Sequence, residues 1–309
     1  MKKRRAKRLN KIRIGTRGSE LALYQANKTL KALNSLGFEG EIVVIKTSGD
    51  KIKNKPLIQF GGKGLFVKEI QESLLNRTID IAVHSLKDYP IENPDELTLG
   101  SILEREDVRD AIVLKRENQL KCLSENSKVG TGSFRRKYQL KLLKPNWEIL
   151  PLRGNVGTRI RKVEEGKYDA VILASAGLKR LKKEENIKGY FEVSEMVPAV
   201  GQGAIAIEAK KDNHEVLEIL KKIESGKARK EIDAERNFLR RLGGSCTTPL
   251  GVNATIKGDT IKICAYLSSF DNDKWIKDEI EGNLEDAIEL SNKLFESFAI
   301  KGARGLVQN

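Results

Sequence analysis

Apolar strand-like runs alternate with helix-like stretches through the first two-thirds of the chain. That alternation restricts the fold more than any other feature. Ile12–Thr16 reads as a strand; Ser19 can cap a helix carrying Leu23, Ala26, Leu30 and Leu33 on one face, and Gly37 can end it. Glu41–Thr47, Phe66–Leu75 and Ile79–His84 continue as strand, helix, strand. This βαβ rhythm predicts a mostly parallel sheet covered by helices. It restarts after Glu104: Ala111–Leu114 and Lys128–Thr131 read as strands and Phe134–Leu143 as a helix. Glu148–Leu152, Val156–Glu165 and Tyr168–Ala174 then repeat strand, helix, strand. Two α/β domains of similar design are expected, with Glu104–Asp110 and Ser194–Gln202 as the crossings between them.

The pattern changes near Lys227. A long helix runs to Leu242, two strands (Gly251–Ile256 and Thr260–Leu267) meet at the tight-turn signal Lys257-Gly258-Asp259, and a third strand near Lys274–Ile280 precedes a helix over Leu284–Phe298. Strands followed by a helix predict a small α+β domain. A chain of 309 residues is also too long for one ordinary core.

The net charge of +14 invites a nucleic-acid reading, but residues 1–13 alone hold eight Lys or Arg and no acid, leaving +6 for the body. Residues 1–11 read as a basic, disordered leader. Aromatics make up only 6%, and the basic clusters fall at predicted strand ends, so neither nucleic acid nor membrane is expected as a partner. The three cysteines include no C-x-x-C pair, and His84 and His214 are too few for a histidine metal site. No metal is expected, and a cytoplasmic, reducing location is.

Several segments carry groups suited to chemistry. Thr16-Arg17-Gly18-Ser19 lies where a strand meets a helix N-terminus, a place that favours anions, although alone it reads as a surface arginine beside a cap. Gly61-Gly62-Lys63-Gly64 exposes backbone N–H groups and a lysine without the spacing of a Walker motif. His84-Ser85-Leu86-Lys87-Asp88-Tyr89-Pro90 follows an apolar strand, where ligands gather in open α/β sheets. Lys87 beside Asp88 fits a surface ion pair or a carboxylate that stabilises a cation and moves a proton. Between residues 130 and 161, Glu148 is the one acid against eight Lys or Arg, which suits a ligand rich in carboxylates or phosphates. Cys122 and Cys264 read as small buried hydrophobes. Cys246 differs: it follows Gly243-Gly244 on a loop, close in sequence to Arg240 and Arg241, and suits a nucleophile or attachment point.

In order along nearly the whole chain, these segments resemble the porphobilinogen deaminase (hydroxymethylbilane synthase) family. The likeness also takes in Leu21-Ala22, Thr47-Ser48-Gly49-Asp50, Leu65-Phe66, Gly130-Thr131-Gly132-Ser133-Phe134-Arg135-Arg136, Leu152-Arg153-Gly154-Asn155-Val156, Pro198-Ala199-Val200-Gly201-Gln202-Gly203 and Gly243-Gly244-Ser245-Cys246. The resemblance implies a fold of class α/β and α+β: two periplasmic-binding-protein-like α/β domains (residues 12–104 with 202–223, and 105–201) and a small α+β C-terminal domain (224–309). It implies a dipyrromethane cofactor attached as a thioether to Cys246. The implied reaction is stepwise condensation of four porphobilinogens with release of ammonia, then hydrolysis to 1-hydroxymethylbilane, by a cytoplasmic monomer. Loss of ammonia leaves a cationic azafulvene, and Asp88 matches the catalytic aspartate. Lys63, Ser85, Lys87, Thr131, Ser133, Arg135 and Arg136 match cofactor-contacting positions. Arg17, Gln25, Arg153, Arg159 and Arg180 match positions that meet substrate or the growing chain. One site accepting several chain lengths implies domain movement. Tyr89 and Gln59 depart from the family pattern, where valine and lysine are common.

Overall fold

The computed structural model describes residues 11–51, 67–244, 248–271 and 273–307, with the backbone alone at 50 and 51. Three sheets organise them. The first has strand order β2-β1-β3-β10-β4, formed by β1 (Ile12–Thr16), β2 (Gly40–Val44), β3 (Ile81–Ser85), β4 (Leu97–Ile102) and β10 (Ile205–Lys210). The second repeats the design as β7-β6-β8-β5-β9, formed by β5 (Asp110–Val113), β6 (Lys128–Thr131), β7 (Glu148–Pro151), β8 (Ala170–Ala174) and β9 (Ile187–Phe191). In each sheet four strands run one way and one runs against them. β10 pairs antiparallel with both β3 and β4, and β5 does so with both β8 and β9. The expected mostly parallel sheets therefore each contain a reversed strand, and each reversed strand is the first to follow a crossing from the other lobe.

Helices cover both faces. They are α1 (Glu20–Asn34), α2 (Ser48–Lys51), α3 (Lys68–Leu75) and α7 (His214–Lys221) around the first sheet, and α4 (Phe134–Leu143), α5 (Val156–Glu164) and α6 (Ser175–Arg180) around the second. Successive residues of a strand face opposite ways. Ile81 and Val83 accordingly join Ala26 and Leu33 of α1, while Ala82 joins Ile70 and Leu74 of α3. In the second sheet, Val171 and Leu173 meet Ile160 and Val163 of α5, and Ala170 and Ile172 meet Leu140 of α4. Burial on both faces explains why these strands read as continuous apolar runs. α1 starts as expected, with Ser19 Oγ accepting from the Ala22 N–H at 3.3 Å. Its buried face differs from the expected one: Leu23 and Leu30 are only half-buried, and Gln25 and Thr29 are buried beside Ala26 and Leu33.

The third sheet is an antiparallel meander of β11 (Leu250–Lys257), β12 (Thr260–Ser268) and β13 (Trp275–Asn283), covered by α8 (Gly226–Leu242) and α9 (Ala287–Ile300), with α10 (Ala303–Val307) at the end. Ile261, Ile263, Ala265 and Leu267 pack on Phe238, Phe295 and Phe298. Cys264 and Tyr266 on the opposite face meet Val197 of the second crossing. Cys264 is thus the buried cysteine expected, and burial pushes its thiol up to about 12. Cys122 is not: it sits exposed in a short 3-10 turn.

The two crossings, residues 103–109 and 192–204, are bonded to each other. The Glu106 N–H donates to Gly203 O at 3.0 Å, and Arg105 Nε donates to Gln202 O at 2.9 Å. Gly203 has φ +87°, and a Cβ there would lie 2.4 Å from Glu106 O, so glycine is required at this close approach. Arg105 Nη1 reaches Glu235 on α8 at 2.7 Å, and the same carboxylate accepts from the Gly201 N–H at 2.7 Å. Among the described residues no helix is long and apolar enough to cross a membrane.

Candidate active site

The residues singled out in the sequence gather where parallel strands end. Arg17 follows β1. Ser85 closes β3, and Lys87 and Asp88 follow on the 3-10 turn Leu86–Asp88. Thr131 closes β6, and Ser133, Arg135 and Arg136 open α4. Arg153 follows β7, Arg159 lies on α5, and Arg180 ends α6, which follows β8.

Two anchors set the Lys87–Asp88 turn. The Leu86 N–H donates to Ala204 O at 3.1 Å, and the Tyr89 N–H to Leu86 O at 3.0 Å; both side chains are buried. Lys87 is half-buried between them and Asp88 is exposed. The Tyr89 hydroxyl donates to Glu208 Oε1 at 3.0 Å, where Gln71 Nε2 also donates at 2.8 Å. His84 Nε2 lies 3.1 Å from Glu208 Oε2. The tyrosine that departs from the family pattern is therefore fully accommodated, and burial beside Glu208 pushes its phenol above the usual range. Gln25 Nε2 donates to Ser85 Oγ at 2.9 Å, joining α1 to the end of β3.

Across from this turn stands a group of cations. Burial lowers Lys87 to about 8; Asp88 opposes that shift, and Arg136 and Arg159 of the second lobe reinforce it. Burial likewise lowers Arg159 to about 10, with repulsion from Arg136 and Arg153 adding to it and Asp88 opposing. The fold thus holds like charges from both lobes within range of one another, with the Asp88 carboxylate among them.

Arg135 and Arg136 are placed differently from each other. Asp110, fully buried at the start of β5, accepts from Arg135 Nη1 at 2.7 Å and Arg136 Nε at 2.9 Å, and Gln202 Nε2 donates to it at 2.8 Å. Burial alone would raise the Asp110 carboxyl, but the two guanidiniums hold it well below the usual range. Arg136 remains an electrostatic neighbour of Lys87 and Arg159, whereas Arg135 turns to Val197 O at 2.8 Å. Thr131 Oγ1 accepts from the Ser133 N–H at 3.3 Å, and Ser133 Oγ caps α4 by accepting from the Arg136 N–H at 3.4 Å. Arg180 Nη2 donates to Gly203 O at 2.6 Å, and among the described residues its buried Nε and that of Arg135 have no partner. Lys63, Gln59 and Cys246 lie outside the described residues. Among those described, no group of three or more His, Cys, Asp or Glu could hold a metal.

The sequence reading missed Asp110, Glu208 and Glu235. Asp110 and Glu208 had one visible signal, a lone acid in an otherwise apolar strand (Asp110-Ala-Ile-Val and Ile205-Ala-Ile-Glu208). Such an acid needs a partner when buried.

Two α/β lobes thus bring Lys87 and Asp88 of the first into electrostatic range of Arg136 and Arg159 of the second. The chain belongs to the porphobilinogen deaminase family. The model described as porphobilinogen deaminase, dipyrromethane cofactor binding domain, matches residues 12–218, and that of the C-terminal domain matches 229–299. The chain is 46% identical over 303 residues to a porphobilinogen deaminase of Campylobacter hominis, covering 97% of this chain and 98% of that one. It is 42% identical over 300 residues to one of Syntrophus aciditrophicus, with 96% and 98% covered. Among solved structures, the methionine-binding protein MetQ is similar at a TM-score of 0.44 and 14% identity, covering 74% of this chain and 94% of that one.

Proposed function

We propose that this chain joins four porphobilinogen molecules head to tail onto a dipyrromethane held as a thioether to Cys246, and then releases 1-hydroxymethylbilane by hydrolysis. Family membership makes it a transferase of tetrapyrrole synthesis. The observation that carries the reading is that Lys87 and Arg159, from different lobes, share Asp88 as a neighbour while Arg136 repels both and Arg153 repels Arg159. Like charges are costly to hold together unless an anion joins them. Every ring of substrate and cofactor carries an acetate and a propionate, so a carboxylate-rich ligand fits the cations present.

When bound, dipyrromethane supplies the free pyrrole carbon that is extended. Lys63, Ser85, Lys87, Thr131, Ser133, Arg135 and Arg136 are proposed to hold its carboxylates. Arg17, Gln25, Arg153, Arg159 and Arg180 are proposed to meet incoming substrate and the lengthening chain. Breaking the substrate's carbon–nitrogen bond sends the electron pair out with ammonia and leaves positive charge on the ring. Asp88 is proposed to offset that charge and to take up the proton displaced when the new carbon–carbon bond forms. A carboxylate near Lys87 raises the lysine's pKa and keeps it cationic at neutral pH. The protein is proposed to act as a cytoplasmic monomer without nucleic-acid or membrane partners.

Intact mass of the purified wild type and a Cys246→Ser variant tests this directly. Two linked pyrrole units of excess mass in the wild type, absent from the variant, are expected. Further mass steps on adding porphobilinogen are expected as well. A wild-type chain that gains no mass with porphobilinogen and releases no ammonia refutes the reading.

A further inference from the structure

Arg236 of α8 is only 6% exposed, yet among the described residues it has no carboxylate at salt-bridge distance. Burying an unpaired guanidinium is costly, so its contacts indicate a purpose. Its side-chain hydrogen bonds lie on the segment that follows Asp88, while Asp233 attracts it and Arg229 and Arg240 repel it. Nη2 donates to Pro90 O at 2.8 Å, Nη1 donates to Tyr89 O at 3.4 Å, and the guanidinium lies 5.2 Å from the centre of the Tyr89 ring. Ile232 and Ala228, one and two turns earlier on the same helix face, pack with Leu86 and Tyr89. The short turn that carries Lys87 and Asp88 is thus gripped by α8, a helix of the C-terminal domain, on both its flanking side chains and its outgoing backbone.

We infer that Arg236 is a positioning residue: it fixes the peptide following Asp88 and so sets where the Asp88 carboxylate stands relative to the cations of the second lobe. The inference rests on the proposed role of Asp88. A guanidinium suits the task because its planar fork can serve two carbonyls while lying over a ring, which an ammonium cannot do at once. Tyr89 provides the platform, and its hydroxyl, bonded to Glu208, belongs to a separate buried network. Arg236 acts through the backbone, so its loss should displace Asp88 without removing any group that binds substrate.

The test compares wild-type holoprotein with Arg236→Lys, Arg236→Met and Tyr89→Phe. Intact mass reports the cofactor, thermal melting reports folding, and steady-state kinetics with porphobilinogen separate kcat from KM. Both Arg236 variants are expected to fold, to carry the wild-type added mass and to keep KM within twofold. Their kcat is expected to fall about tenfold to a hundredfold, with Lys losing less than Met. The first substrate adduct, trapped by rapid quench and weighed, should form more slowly by the same factor. Tyr89→Phe keeps the ring and both carbonyls and is expected to hold kcat within twofold. The inference is overturned by a folded, loaded Arg236→Met protein with kcat within twofold of wild type, or by a loss confined to KM. It is also overturned if Tyr89→Phe loses as much as Arg236→Met, or if both Arg236 variants fail to fold, since the contact would then serve stability alone. A wild type without cofactor mass or turnover sinks the deaminase reading as well, whereas a normal wild type with unaffected variants sinks this inference only.

Discussion

Replacing Asp110 with Asn removes one charge from a buried group of three. Arg135 and Arg136 approach the Asp110 carboxylate at 2.7 and 2.8 Å, and all three side chains are nearly or fully buried. With charge centres roughly 4 Å apart and an effective dielectric constant of about 20, each attraction is worth about 4 kcal/mol. Desolvating three ions and bringing two guanidiniums together cancels much of that sum. Removing the shared partner leaves both cations buried and uncompensated, which for a broken buried pair costs about 3–5 kcal/mol. At roughly 2–4 °C per kcal/mol for a domain-sized unit, the melting midpoint should fall by about 6–20 °C. Calorimetry at pH 7 measures it. The pH dependence gives a second check. The Asp110 carboxyl is held below its unfolded value, so its stabilisation is fully present above that value, about 3.9, and is lost as pH falls through the folded one. The gap between wild type and variant should therefore stay constant from neutral to mildly acid pH and close only in strong acid. A fall of less than about 2 °C at pH 7 would refute the reasoning, because water would then be solvating the two guanidiniums without the carboxylate.

Lys87 has the opposite sign. Its pKa is depressed to about 8, so below that pH the folded state bears the cost of a buried cation, and the cost fades as pH rises toward the unfolded value. Lys87→Gln should therefore melt above wild type at pH 7 and converge with it in alkali, while its KM for porphobilinogen rises; equal melting curves at pH 7 would contradict the shift. Asp88→Asn removes an exposed carboxylate, so the midpoint should hardly move while kcat falls about 10²–10⁴-fold; retained kcat in a loaded protein would remove Asp88 from the chemistry. Gly203→Ala forces a side chain to φ +87° and toward Glu106 O, and should cost at least about 1–3 kcal/mol in urea melts. An unchanged urea midpoint would show that the crossings can separate freely.

The sequence made the elements with strong local signals legible. β6 and α4 fall on the expected residues, and the cap at Ser19 is where its hydroxyl and the following apolar pattern put it. β4, β9 and β10 were not seen. Leu97-Thr-Leu-Gly-Ser-Ile and Ile187-Lys-Gly-Tyr-Phe carry a glycine each and weak alternation, and their pairing partners lie far along the chain. Arg17, Lys87, Asp88 and Arg153 were legible locally because each follows a strand that local pattern could find, whereas Gln25 and Arg180 came only from the family resemblance. The electrostatics of the site were not legible. Nothing local distinguishes Arg135 from Arg136, since both sit at the start of one helix and both bond Asp110 of β5; Val197 of the second crossing takes Arg135, while Arg136 also faces Lys87.

That missing information is the reversed strand itself. β5 enters the second sheet from the first lobe and brings Asp110 to Arg135 and Arg136; β10 enters the first sheet from the second lobe and brings Glu208 to His84 and Tyr89. Each insertion thus places a buried acid among buried polar side chains of the lobe it enters. The crossings that deliver these strands are bonded to each other and, through Glu235, to α8. Rotation of one lobe against the other must therefore bend both crossings as a pair, while the Asp110 and Glu208 networks move with their own sheets. If the proposed elongation moves the lobes apart, each buried acid should keep its own partners, and scattering that shows one lobe angle at every chain length would refute the movement.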